Sequence, residues 1–219
     1  MRLTVFKYGT TDITAKMAFV GGDEKVKLSI SLLFFLIEHE DRKILIDVGC
    51  DNMPGFELHQ FELPVNVLEQ YKISRSEITD VILTHAHHDH IHAVYNYPEA
   101  VVYIHKDELA NARKYLENSK KISVFDEDFE IIDNVCVKVI GGHSKGSSVV
   151  LVKSNEKEYV LCGDECYTKE NFANKIPTGS SISPEKSRKF VEEYGKEKYI
   201  PIIFHDPDIV PEIGFKVLY

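Results

Sequence analysis

Thr84-His85-Ala86-His87-His88-Asp89-His90-Ile91-His92 follows directly on the apolar run Val81-Ile82-Leu83. Five of the chain's ten histidines fall within the eight residues from His85 to His92. An imidazole offers a neutral nitrogen donor suited to Zn²⁺, and a carboxylate offers oxygen. A solvated loop that is His-rich by accident is a poor account of such a density. The cluster lies where the chain leaves a buried strand, a common setting for sites. In an extended segment His85 and His87 share one side. A turn would then aim Asp89 and His90 at a neighbouring point, which suits two adjacent metals better than one. His88 points away or steadies a ligand, and the role of His92 stays open.

Further donor residues follow other apolar runs. His143 comes after Val135 to Ile140 and Gly141-Gly142, Asp164 after Glu158 to Cys162 and Gly163, and His205 after Tyr199 to Phe204. Each alone is weak, since an Asp after Gly is usually a turn residue. With the cluster they repeat one pattern: ligand-type side chains at strand exits. His39, His59 and His105 lack that setting and read as surface or packing residues. Cys162 and Cys166 flank Asp164, but Cys162 sits at a strand end with apolar neighbours and a free Cys is usually buried and inert, so neither reads as a ligand.

The remaining chain reads as short strands interspersed with a few helices. Lys27 to Glu38 and Arg42 to Asp47 form a hairpin, and Met1 to Lys7 is a short strand. A helical stretch runs from Lys106 to Glu117. A second helix begins with Ser183 as cap and Pro184 at its first position, and stops at Gly195. Such a mixture predicts an α/β fold with mixed sheets covered by helices. With 219 residues, and no linker or low-complexity segment, one domain over 1–219 is expected.

The net charge of −9, with no basic run longer than pairs such as Lys120-Lys121, argues against a nucleic-acid partner. The longest apolar stretch, Leu28 to Ile37, is interrupted by Ser29 and Ser31 and is too short to span a bilayer. No signal-peptide pattern opens the chain, and the four cysteines match no secreted framework. The expectation is a cytoplasmic protein with reduced thiols, acting on a small molecule and not on a membrane. Oligomeric state is not legible.

His85-x-His87-x-Asp89-His90, followed in order by His143, Asp164 and His205, resembles the metal-binding set of the metallo-β-lactamase superfamily. Ile44-Leu45-Ile46-Asp47-Val48-Gly49 is similar to that family's strand ending in Asp-x-Gly, and Gly142-His143-Ser144-x-Gly146 to its second histidine motif. Within the superfamily, Asp164-Glu165-Cys166-Tyr167-Thr168-Lys169-Glu170-Asn171-Phe172 and Pro201 to Asp206 resemble segments of the N-acyl homoserine lactonases. The resemblance implies a four-layer αββα sandwich. It implies that His85, His87 and His143 bind one metal, that Asp89, His90 and His205 bind a second, and that Asp164 bridges them. The cofactors would be two Zn²⁺, with Mn²⁺, Fe²⁺ or Co²⁺ as substitutes. Two such ions about 3.5–4 Å apart would share a hydroxide that opens a lactone or related ester. Tyr167 would contact the substrate carbonyl and stabilise the oxyanion, Asp89 would return a proton to the leaving alkoxide, and Asp47 would orient a ligand imidazole.

Two departures from the lactonases bear on the substrate. Ile91-His92-Ala93 stands where they usually carry small residues, and Lys145 replaces a proline in the second motif. A thioester, a phosphodiester or another ester, or a non-catalytic metal-binding module on the same scaffold, are the competing readings.

Overall fold

The computed structural model describes residues 1–154 and 157–219. The strands, in chain order, are β1 (Arg2–Thr14), β2 (Lys27–His39), β3 (Arg42–Ile46), β4 (Leu58–His59), β5 (Asp80–Ile82), β6 (Val101–His105), β7 (Lys121–Phe125), β8 (Phe129–Ile132), β9 (Val135–Val139), β10 (Ser148–Ser154), β11 (Lys157–Leu161), β12 (Tyr199–Ile202) and β13 (Gly214–Val217). They make an eight-stranded sheet ordered β13-β1-β2-β3-β5-β6-β7, with β4 on β1, and a five-stranded sheet ordered β12-β11-β10-β9-β8. The chain divides into two compact units. One comprises Met1–Thr11, Ile30–Phe125 and Pro207–Tyr219; the other comprises Asp12–Ser29 and Asp126–Asp206.

In the first unit, Ile30 to Ile37 of β2 are buried without alternation. That pattern marks a strand covered on both faces. Its core gathers Phe6, Tyr8, Leu32, Phe34, Leu45, Val81, Leu83, Val102 and Ile104 among others. Each such side chain contributes about 1.5–3 kcal/mol through burial. β3 pairs in parallel with β5, Ile44 opposite Asp80 and Ile46 opposite Ile82. The two strands therefore end side by side, and the Asp47 amide donates to the Ile82 carbonyl at 2.9 Å. Asp47 and the Thr84–His92 segment leave the sheet at neighbouring points for that reason.

The second unit repeats the device. β11 runs parallel to β12 with Leu161 opposite Ile202, so the exits to Asp164 and His205 adjoin. β10 is antiparallel to both β9 and β11, pairing Ser148 with Val139 and Val150 with Leu161. The β9–β10 loop, which carries His143, thus returns to the same end of that sheet. Its core is Val149, Leu151, Val160, Cys162, Cys166, Phe190, Val191 and Ile203.

Two sequence expectations change. The first strand does not stop at Lys7; it continues to Thr14, because Thr10 and Thr11 pair with His59 and Leu58 of β4. Gly9 inside it has Phe61 packed where a Cβ would lie, 3.2 Å from the ring. The helical stretch expected from Lys106 to Glu117 is a 3₁₀ turn, Lys106–Glu108, followed by one α-helical turn, Leu109–Ala112. His105 accepts from the Asp107 amide at 3.2 Å, tightening the start, and Glu108 is drawn inward to a partner described below. β7, β8 and the helices Pro64–Gln70 and Lys169–Asn174 were not legible; the helix Pro184–Tyr194 ends at Gly195 as expected. Among the described residues no helix is long and apolar enough to cross a membrane.

Candidate metal centre

In the first unit four donor residues leave β5 together. His85 and His90 are buried, Asp89 is half-buried and His87 is exposed. The His85 ring lies 4.5 Å from that of His87 and 4.2 Å from that of His90, centroid to centroid. Ligand atoms of His85 and His87 fall within 4.8 Å of each other, as do those of Asp89 and His90.

Asp47 organises this group. It is fully buried and sits at φ +55°, a left-handed conformation that Asp tolerates better than most residues. One carboxylate oxygen accepts from the Thr84 amide at 2.8 Å. The other accepts from the Thr84 hydroxyl at 2.8 Å and lies 2.6 Å from His90 Nδ1. Since His90 gives its Nδ1 proton to Asp47, its lone pair resides on Nε2. The Thr84 hydroxyl, already donating to Asp47, is placed to accept from His85 Nδ1 at 3.1 Å. That leaves the His85 lone pair on Nε2 as well. Burial pushes the Asp47 carboxyl up, and His90 and Thr84 pull it back down.

Two more side chains hold the loop. Glu108, buried at the exit of β6, accepts from the Ala86 amide between His85 and His87 at 3.0 Å. The Tyr8 hydroxyl donates to the Asp89 carbonyl at 3.1 Å. His88 turns elsewhere: its Nδ1 lies 3.0 Å from the Tyr115 hydroxyl and its Nε2 2.9 Å from the Asn52 carbonyl. The His92 ring packs at a tilt of 35° against that of His88, 4.4 Å between centroids, and its Nδ1 accepts from the Asp51 amide at 3.2 Å.

In the second unit His143, Asp164 and His205 are all buried. Asp164 uses its two oxygens differently. Oδ1 lies 3.0 Å from His205 Nε2, and Oδ2 lies 3.4 Å from His143 Nε2. The Tyr167 hydroxyl donates to Oδ2 at 2.8 Å, and its ring stacks on His205 at 4.9 Å and 13°. Glu165, next in sequence, faces the other way. Its carboxylate accepts from the Gly142 and His143 amides, each at 3.1 Å, and from the hydroxyls of Ser147 and Ser187. Burial pushes its carboxyl up against those contacts. Gly142 permits this approach, for a Cβ there would stand 2.3 Å from Glu165 Oε2. Lys145 is exposed on the same loop.

Glu165→Gln tests this support. A glutamine keeps an oxygen for the two amides and the Ser147 hydroxyl but turns an amide group toward the Ser187 hydroxyl, which must reorient. A loss of about 1–2 kcal/mol in thermal or denaturant unfolding is expected. An unchanged midpoint would show that the carboxylate does not hold the His143 loop.

The donors are imidazole nitrogens and carboxylate oxygens. The Cys162 and Cys166 thiols donate to the carbonyls of Val160 and Thr168, and burial pushes both upward in pKa, away from the thiolate a metal needs. An N/O set of this kind fits Zn²⁺ and its divalent neighbours. Glu108, Glu165 and Tyr8 were missed by sequence reasoning. Glu108 and Glu165 each stand just beyond an apolar strand, as the ligands do, but a glutamate there reads in sequence like a solvated one.

Residues 33–201 match the family model of the metallo-beta-lactamase superfamily. The chain belongs to that superfamily. Its α/β fold with two sheets and helices is the metallo-β-lactamase fold, as expected from the motifs. An N-acyl homoserine lactonase of Bacillus cereus is 27% identical over 217 residues, spanning 87% of this chain and 86% of that protein. N-acyl homoserine lactonase AiiB of Agrobacterium fabrum is 22% identical, over 82% of this chain and 80% of that one. Among solved structures, an N-acyl homoserine lactone hydrolase with N-hexanoyl-L-homoserine at its catalytic metal centre superposes with a TM-score of 0.81. It is 21% identical and covers 94% of this chain and 93% of that one. In this metallo-β-lactamase family member each unit presents, at its strand exits, histidines and an aspartate of the type suited to a divalent metal.

Proposed function

We propose that the protein is a dinuclear metal hydrolase that opens a lactone, in the manner of an N-acyl homoserine lactonase. The observation that carries the reading is the Asp164 carboxylate, with one oxygen toward His143, the other toward His205, and the Tyr167 hydroxyl upon it. The naming of the Bacillus cereus relative, similar over most of both chains, supports the substrate class.

His85, His87 and His143 would hold one ion and Asp89, His90 and His205 the other, with Asp164 serving both. This assignment makes residues 1–219 one functional domain. Zinc is the metal proposed, given the imidazole-rich set. A pair of bound divalent ions supplies Lewis acidity and a water acidified to near neutral pH. The chain's own residues do the rest. Asp47, through His90 and Thr84, holds the imidazoles in the tautomer that presents Nε2. Tyr167 donates to the substrate carbonyl oxygen as negative charge builds there. Asp89, half-buried where the ligand loop meets solvent, takes the proton released as water adds to the carbonyl carbon and hands it to the departing alkoxide. The four cysteines are free thiols, which supports a reducing, cytoplasmic setting.

The test is a panel of N-acyl homoserine lactones, aryl esters and thioesters, assayed on protein of measured metal content. Lactones should be turned over best. Tyr167→Phe should lower kcat about 10²–10³-fold with metal content unchanged, the scale of one lost oxyanion donor. Turnover of esters or thioesters with no lactone opened would refute the lactonase reading.

A further inference from the structure

Beside His87 the first unit opens into a cleft of about 650 Å³. His87, His88, Asn111, Arg113, Lys114 and Tyr115 line it, with Glu117 as its one carboxylate. Two cations against one anion is an inversion for a chain of net charge −9. Arg113 and Lys114 make no ion pair with any carboxylate among the described residues. Lys114 is exposed but leans on a neighbouring ring. Its ammonium lies 4.6 Å over the Tyr115 ring, and the Tyr115 hydroxyl is 3.0 Å from His88 Nδ1. The cation is therefore tied, through one aromatic ring, to the loop that carries His87 and Asp89.

We propose that this cleft receives an anionic group, a carboxylate or a phosphate, on the arm of the substrate remote from the bond that is cut. The inference rests on the lactone-hydrolase reading and narrows it. His87 lines the same cleft as Arg113 and Lys114, so a group held at His87 has both cations within that cleft. Two exposed cations attract an anion modestly each, and the attraction weakens with salt.

Three lactones of equal chain length separate the cases: N-hexanoyl, N-adipoyl and N-(6-phosphooxyhexanoyl) homoserine lactone. At low ionic strength kcat/KM should favour an anionic arm roughly tenfold over hexanoyl. The stronger of the two anionic arms identifies the group. The preference should fall to about one in the double variant Arg113→Gln/Lys114→Gln and shrink in 0.5 M salt. Calorimetric binding of ring-opened N-adipoyl homoserine, which needs no turnover, should weaken by a similar factor in that variant. Equal kcat/KM for all three arms in the unaltered protein, or a preference that survives the double variant, overturns the inference while hexanoyl turnover leaves the lactonase reading intact. If no lactone is opened but the double variant still weakens binding, the reading fails and the anion cleft stands. If binding is also indifferent to the variant, both fail.

Discussion

Asp164→Ala lowers lactone hydrolysis by about 10³-fold or more and reduces bound metal, with the far-ultraviolet circular dichroism retained. The size follows from what one carboxylate does. It faces His143 and His205 through different oxygens and takes the Tyr167 hydroxyl on one of them. On the proposed assignment it is the only ligand common to both ions, so its loss removes one contact from each and the negative charge that neutralises them. Charge stabilisation at such a centre is worth several kcal/mol, and each 1.36 kcal/mol is tenfold in rate. Alanine also strands the Tyr167 hydroxyl, which costs about 1–3 kcal/mol if it stays buried. Asp164→Asn keeps the shape and one oxygen and should retain more metal than alanine does. Activity within about tenfold of the unaltered protein, at full metal content, would remove Asp164 from the centre.

The second large effect is at Asp47, which touches no substrate. Its carboxylate takes the Thr84 amide, the Thr84 hydroxyl and His90 Nδ1 while fully buried. Asp47→Ala leaves these donors without their acceptor and frees the His90 ring to rotate. A loss of roughly 3 kcal/mol or more in unfolding free energy is expected from the stranded donors. Metal affinity should fall about 10–100-fold, the usual consequence of losing the partner that orients a ligand imidazole. Asp47→Asn separates the two roles. An asparagine still accepts from the Thr84 amide but offers its own N–H groups toward His90, so stability recovers more than metal affinity does. Affinity is read by competition with a chromophoric chelator. Equal recovery of both in Asp47→Asn would reduce Asp47 to a structural role.

What the sequence disclosed and what it hid have separate physical causes. The Thr84–His92 stretch was legible because five imidazoles in eight residues is a composition that packing alone does not produce. His143, Asp164 and His205 were legible as a repeated placement, each just past an apolar strand. The parallel pairings β3–β5 and β11–β12 explain why those exits adjoin, although pairing across the chain leaves no local mark. For the same reason Glu108 and Glu165 were missed. Their partners, the amides of Ala86, Gly142 and His143, lie some twenty residues away, and a buried glutamate reads in sequence like a solvated one. The first strand was cut short because its last residues pair with β4, two residues long and nearly fifty positions on. The 106–117 stretch has helical composition throughout. Tertiary demands won there: His105 tightens its start, and the Glu108 side chain is committed to the ligand loop.

The most direct measurement is anomalous diffraction at the zinc absorption edge from crystals grown with the metal in excess. The account predicts two peaks per chain, with His85, His87 and His143 on one, Asp89, His90 and His205 on the other, and Asp164 reaching both. A single peak, or peaks held by other side chains, would contradict it.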